Sequence, residues 1–316
     1  MSESDYEDPP PLYIKVQNTS MPVHETLVPP SHSEAESLNV LENATRKFPL
    51  TTMKGYFKRN NKDTQAPSAF ELGTTENNSR LFAVSTSSNE FTNSLSVTLH
   101  DGATHEASIL ATLTANEWGL RGTKPCLFHL PVRPGSLYKR EIVKRMIPRS
   151  KKFTARKPIW NFSALITSKD GTQDVEEIFE WRSSGGKEVE EIATGYRYGW
   201  KLVRVSGPNS GSGGPRKKRD FGFTSDGLDI VAVATHNPSR CMDKALRFSF
   251  MRTGLTGELG EGWEIMAVVS ALQLWYWRAQ EIAARRAAAQ RAARKDDWVD
   301  DLLLMSMLTS ASLTYW

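Results

Sequence analysis

The sequence predicts a mainly β fold: an antiparallel β-barrel enclosing a hydrophobic helix near the C-terminus. Two observations carry this. Trp263–Trp277 is apolar almost throughout, with Glu264, Ser270 and Gln273 as its polar members. On a helical wheel Leu274 and Trp277 fall among those three, so the helix has no wet face and must be enclosed. Its 15 residues fall short of the ~20 that a bilayer span needs. Ahead of it, many short alternating segments are separated by turn residues with no helical pattern between them, which argues an antiparallel barrel or sandwich over βαβ units. A closed sheet with a wide interior buries such a helix and leaves no free edge. A β-sandwich with the helix across one face is the second choice.

In chain order, residues 1–11 are acidic and end in three prolines, the composition of a disordered tail. Leu12, Ile14 and Val16 alternate as a short strand, and the segment around Leu50–Phe57 reads as extended. Phe82 and Val84 form a strand signal. So do Leu95, Val97 and Leu99, which run into Asp101-Gly102, a hairpin turn, with Ile109–Leu113 returning. Phe179 and Trp181 alternate with Glu180 and Arg182, then Ser183–Lys187 reads as a Gly-Gly turn. Trp200–Val205 is a further strand. Leu228–Thr235, apolar on both faces, must be covered on both. Leu246, Phe248 and Phe250 close the series. Residues 120–160 and 206–219 read as basic loop insertions. Arg278–Lys295 is rich in Ala and Arg, and Ala is the best helix former, so the helix is expected to run on into solvent. The domain therefore spans 12–295. Residues 296–316 form a tail that could dock on it, lie on a surface or be unstructured.

At this point the chain resembles the tubby C-terminal, LURP-one and phospholipid-scramblase superfamily of barrels, and within it a fungal branch. The resemblance covers roughly residues 80 to 280. It rests on Phe179-Glu180-Trp181-Arg182, Gly199-Trp200-Lys201-Leu202-Val203, Ser225-Asp226-Gly227 with Ile230-Val231-Ala232-Val233, and Gly254–Gly260 leading into Trp263–Leu272. It implies a twelve-stranded barrel around a C-terminal helix, and binding of lipid headgroups. The basic segment before Trp160 and everything past Arg278 depart from the family pattern.

Net charge is only +4 and Cys126 and Cys241 are the two cysteines. Neither forces a nucleic-acid partner or a disulfide scaffold. The start, MSESDYEDPP, has no basic or apolar signal region, so an intracellular chain with reduced thiols is expected. His100 with His105, and Cys126 with His129, offer too few ligands for a metal. No G-x-S-x-G elbow, H-E-x-x-H pair or phosphate loop is present. The expectation is a chain with no catalytic residue, metal or cofactor. Gly254, Gly257 and Gly260 open onto the helix, but Glu258, Glu261 and Glu264 around them repel phosphate, so a tight turn is expected.

Basic residues are the functional lead. Lys139, Arg140, Lys144, Arg145, Arg149, Lys151 and Lys152 lie in one stretch, and Arg216, Lys217, Lys218 and Arg219 in a second. Tyr138, Ile142 and Met146 fall four apart, so Leu137–Ile147, if helical, is a basic amphipathic helix. Such clusters attract anionic lipid, phosphoinositide in particular given the resemblance, at ~1 kcal/mol per residue near the surface. This gives a non-enzymatic, lipid-binding barrel, cytoplasmic or peripheral to a membrane. The alternatives are a nuclear or nucleic-acid-associated module using residues 216–219, or a scaffold whose C-terminal helix or tail binds a protein partner. A blander reading also stands: the acidic residues of 174–191 either stay solvated or dock on the basic stretch, within the molecule or in a dimer.

Overall fold

The computed structural model describes residues 47–57, 68–89, 94–116, 124–136, 138–149, 159–167, 174–193, 198–207, 211, 213–215, 219–236 and 246–312, with side chains to residue 292. The strand expected at Leu12–Val16 lies outside them. Twelve strands form a closed antiparallel barrel in which each strand pairs with its neighbours in sequence and β1 closes on β12. They are β1 Met53–Tyr56, β2 Ala69–Thr74, β3 Arg80–Asn89, β4 Ser94–His100, β5 Ile109–Asn116 and β6 Cys126–Leu130. The second half is β7 Ile142–Pro148, β8 Trp160–Thr167, β9 Asp174–Ser184, β10 Gly199–Arg204, β11 Ile230–His236 and β12 Leu246–Phe250. Two helices follow β9 and β12: α1 Lys187–Ile192 and α2 Gly260–Ser312.

The barrel lumen is filled by the first part of α2. Residues Trp263–Tyr276 are all buried, and the helix packs on β4, β5, β8, β11 and β12, strands from opposite sides of the ring. Large rings from helix and sheet interlock. Trp263 lies 5.5 Å from Phe179 and 5.8 Å from Phe250, Trp275 lies 4.9 Å from Phe57, and Trp277 lies 4.6 Å from Trp160. The polar members of the helix are satisfied in place. The Trp181 indole donates to Ser270 Oγ at 2.8 Å, and Ser270 donates on to the Ala267 carbonyl at 3.0 Å. Gln273 donates to the Leu113 carbonyl and accepts from the Trp277 indole at 3.1 Å.

Two ion-pair clusters hold the start of α2. Arg133, itself buried, bridges Asp101 at 3.0 Å and Glu261 at 2.7 Å. Arg204 on β10 bridges Glu177 at 2.6 Å and Glu258 at 3.2 Å. The three glycines form a tight turn, as the sequence predicts. Gly257 and Gly260 have φ of 77° and 79°, a region that L side chains avoid. A Cβ on Gly254 would lie 2.0 Å from the Val231 carbonyl. Strand β11 is buried on both faces, one toward α2 and the other under α1, where Val189 packs on Ile230 and Val233.

The structure corrects two expectations and refines two more. Residues 120–160 are not a loop: they contain β6 and β7. Leu137–Ile147 is not a helix, because Ile142–Pro148 is a strand. A four-residue spacing puts Tyr138, Ile142 and Met146 on one side of a strand as well as of a helix, and β-branched Ile142, Val143 and Ile147 favour the strand. The hairpin at Asp101-Gly102 is present, with β5 returning from Ile109 as expected; its connection has eight residues and is closed by Asp101 N–H to the Ser108 carbonyl at 2.7 Å. Gly186 caps a helical turn, so the Gly-Gly turn leads into α1.

Candidate functional site

The outward residues of β7 are Val143, Arg145 and Ile147, all exposed, and the exposed Arg149 follows the strand directly. Arg145 is registered with Leu127 on β6. Large apolar side chains on the neighbouring strands face outward too. Leu165 on β8 is 55% exposed, Val143 52% and Leu127 44%, with Ile178 on β9 beside them. The outer wall of β6–β9 thus presents apolar side chains on four adjacent strands, with cations among them. This is more than the scattered single apolar residues of an ordinary surface.

Pairing sorts the candidate cations. Lys144 is bound to Glu176, which also accepts from Ser163 Oγ at 2.7 Å. The hydrogen bond and charge of Lys144 hold the Glu176 carboxyl below its usual range. β7 and β8 share only three register pairs, Met146↔Phe162 to Pro148↔Trp160, so the strands part beyond Met146. Lys144, on the inward register beside Phe128, reaches outward to Glu176. Arg149 is bound to Glu180, which also pairs with Arg182 at 2.9 Å. Arg219 donates to the buried Glu188 at 3.1 Å. The acidic stretch divides: Glu177, Glu180 and Glu188 are buried while Asp174, Glu176 and Glu191 stay exposed, and three basic candidates dock on acidic residues of 174–191 within the molecule.

Lys139, Arg140 and Arg145 are exposed and have no ion pair to any described residue. Lys151, Lys152, Arg216, Lys217 and Lys218 lie outside the described residues. The histidine and cysteine candidates gather no group of three metal ligands among the described residues, although His100 and His105 meet edge-on at 5.6 Å. His100 Nε2 is 2.9 Å from Ser85 Oγ and Nδ1 is 3.2 Å from the Ala107 carbonyl, so both nitrogens are engaged. Cys126 points into the barrel, where burial pushes its thiol up to about 12. His129 is on the outer face with Glu141.

Sequence reasoning missed the apolar members of the β6–β9 face. Leu127, Val143 and Ile147 alternate with inward residues of their strands, a period-2 signal obscured by reading this stretch as a basic loop. No helix among the described residues is long and apolar enough to cross a membrane. Comparison with family models, curated proteins and solved structures finds no match.

Proposed function

We propose that this chain is a non-enzymatic, tubby-like barrel that binds an anionic membrane surface. The contact is the outer wall of β6–β9 rather than a helix. The observation that carries the reading is the juxtaposition of Leu127, Val143, Ile147 and Leu165 with Arg145 on adjacent strands. Apolar side chains enter the headgroup boundary while cations hold the lipid phosphates, so the two contributions act together. Lys139 and Arg140 precede β7 and add charge at its start. A twelve-stranded barrel around a C-terminal helix is the architecture that the superfamily resemblance implies, and phosphoinositide is the headgroup it favours.

Vesicle co-sedimentation tests it. The wild type is expected to bind vesicles containing phosphatidylserine and phosphatidylinositol bisphosphate, and not neutral phosphatidylcholine. Arg145→Glu with Lys139→Glu and Arg140→Glu should abolish binding, as should Ile147→Glu with Leu165→Glu. Equal binding by wild type and both variants would exclude this face. The nucleic-acid reading has less support, since Arg219 is engaged by Glu188.

A further inference from the structure

We propose that the end of the barrel from which α2 emerges binds a small oxyanion, a carboxylate or a phosphate, between the His236 imidazole and the Arg278 guanidinium. His236 is the last residue of β11 and is registered with Leu246, a core residue on the inward face. It is only 3% exposed. Its ring meets Trp200 edge-on at 6.0 Å, and its backbone N–H donates to the Tyr198 carbonyl at 3.1 Å. Neither ring nitrogen has a hydrogen-bond partner among the described residues. Arg278 lies over the Tyr198 ring, 5.9 Å from its centroid, and donates through one terminal nitrogen to Glu281. Its Nε is buried and has no partner among the described residues.

Native proteins seldom leave such groups unmade, since each orphaned buried donor costs about 1–3 kcal/mol. What the His236 ring and the Arg278 Nε share is the absence of an acceptor, although Arg278 is paired with Glu281 through a terminal nitrogen. Both an imidazole N–H and a guanidinium N–H require one, and the Arg278 charge favours a negative one. Burial, and to a lesser extent the same charge, disfavours a proton on His236, and both also disfavour a metal cation there. An oxyanion reverses this balance. It accepts from Arg278 Nε and from the imidazole, and it stabilises the imidazolium. Trp200 and Tyr198 wall the site with rings, which exclude water and strengthen the contact. The proposal is independent of the lipid face on β6–β9.

The test uses the full chain. The ring signals of His236, assigned by their loss in His236→Gln, are titrated in sodium chloride, in sodium acetate and in sodium phosphate at equal ionic strength. In chloride His236 should stay neutral down to pH 5. Acetate or phosphate should raise its pKa by more than one unit, saturably, and raise the melting temperature. A response to acetate alone assigns a carboxylate site, and a response to phosphate alone assigns a phosphate site. His236→Gln and Arg278→Gln, which should each melt cooperatively in chloride, should lose the thermal response. No saturable response beyond chloride overturns the proposal, as does a thermal response that survives in both variants. A His236 already protonated near neutral pH in chloride also overturns it, because a carboxylate of the chain itself would then fill the site.

Discussion

Ser270 illustrates how a polar atom is accommodated inside this barrel: it accepts from one indole and donates to its own helix. Ser270→Ala should destabilise the fold by about 1–3 kcal/mol, because the Trp181 N–H is left buried without an acceptor. Urea unfolding with an unchanged m-value would measure it, and a midpoint equal to wild type would contradict it. His236 makes a second prediction. Burial, and to a lesser extent Arg278, lower its pKa from 6.5 to about 3 in the folded chain. Between those values the unfolded chain binds one more proton than the folded one. Stability from this group is therefore complete above pH 6.5 and is lost as pH falls through the window, at up to about 1.4 kcal/mol per pH unit. In chloride buffers, His236→Gln should flatten the decline of the urea midpoint between pH 7 and 5; parallel curves would refute it. Residue by residue, the sequence identified Glu264, Ser270 and Gln273 as the helix's polar members. It did not reveal that Glu177, Glu180 and Glu188 are buried, since their partners Arg204, Arg182 with Arg149, and Arg219 come together only when the sheet closes.

Among the elements, those with a period of two on apolar residues were the legible ones. β4, β9, β11, β12 and the start of α2 are each readable from alternation or from continuous apolarity. β6 and β7 were not, because Leu127, Val143 and Ile147 take outward positions and Lys144 an inward one, which breaks the alternation of polar with apolar side chains. α1 was hidden by its length: six residues give no helical period, and its role as a cover for β11 is set by tertiary packing. The connection from β12 to α2 makes an element-scale prediction. Gly254→Ala forces a Cβ onto the Val231 carbonyl, which is backbone and cannot step aside. Gly257→Ala meets open space and bears only the left-handed backbone strain, about 1–2 kcal/mol. Gly254→Ala should therefore be the more damaging of the two in thermal unfolding, and the reverse order would refute this account of the turn.

At the scale of the whole molecule, twelve strands and one helix are mutually dependent. The inward side chains of the sheet find their partners on α2, and the apolar surface of α2 finds shelter only within the sheet. The architecture was legible because each half carries apolar surface that only the other covers, a property of composition; the site was not, because exposed apolar residues acquire meaning only when neighbouring strands bring them together. The dependence ends partway along α2. Trp263–Tyr276 is buried, Trp277 and Ala279 still pack on the core, and Ala284–Arg286 is exposed. Two truncations should separate these parts. A chain ending at residue 292 retains every described core contact and should melt within a few degrees of the full chain. A chain ending at Leu259 loses the lumen filling, leaving Phe179, Phe250, Phe70 and Trp181 facing an emptied interior. Closing a void of that size is beyond side-chain relaxation, and filled volume is what stabilises a core. That chain should lose its cooperative transition and its near-ultraviolet circular dichroism. Were it to melt cooperatively like the longer one, the helix would be an attachment to the barrel and not its core.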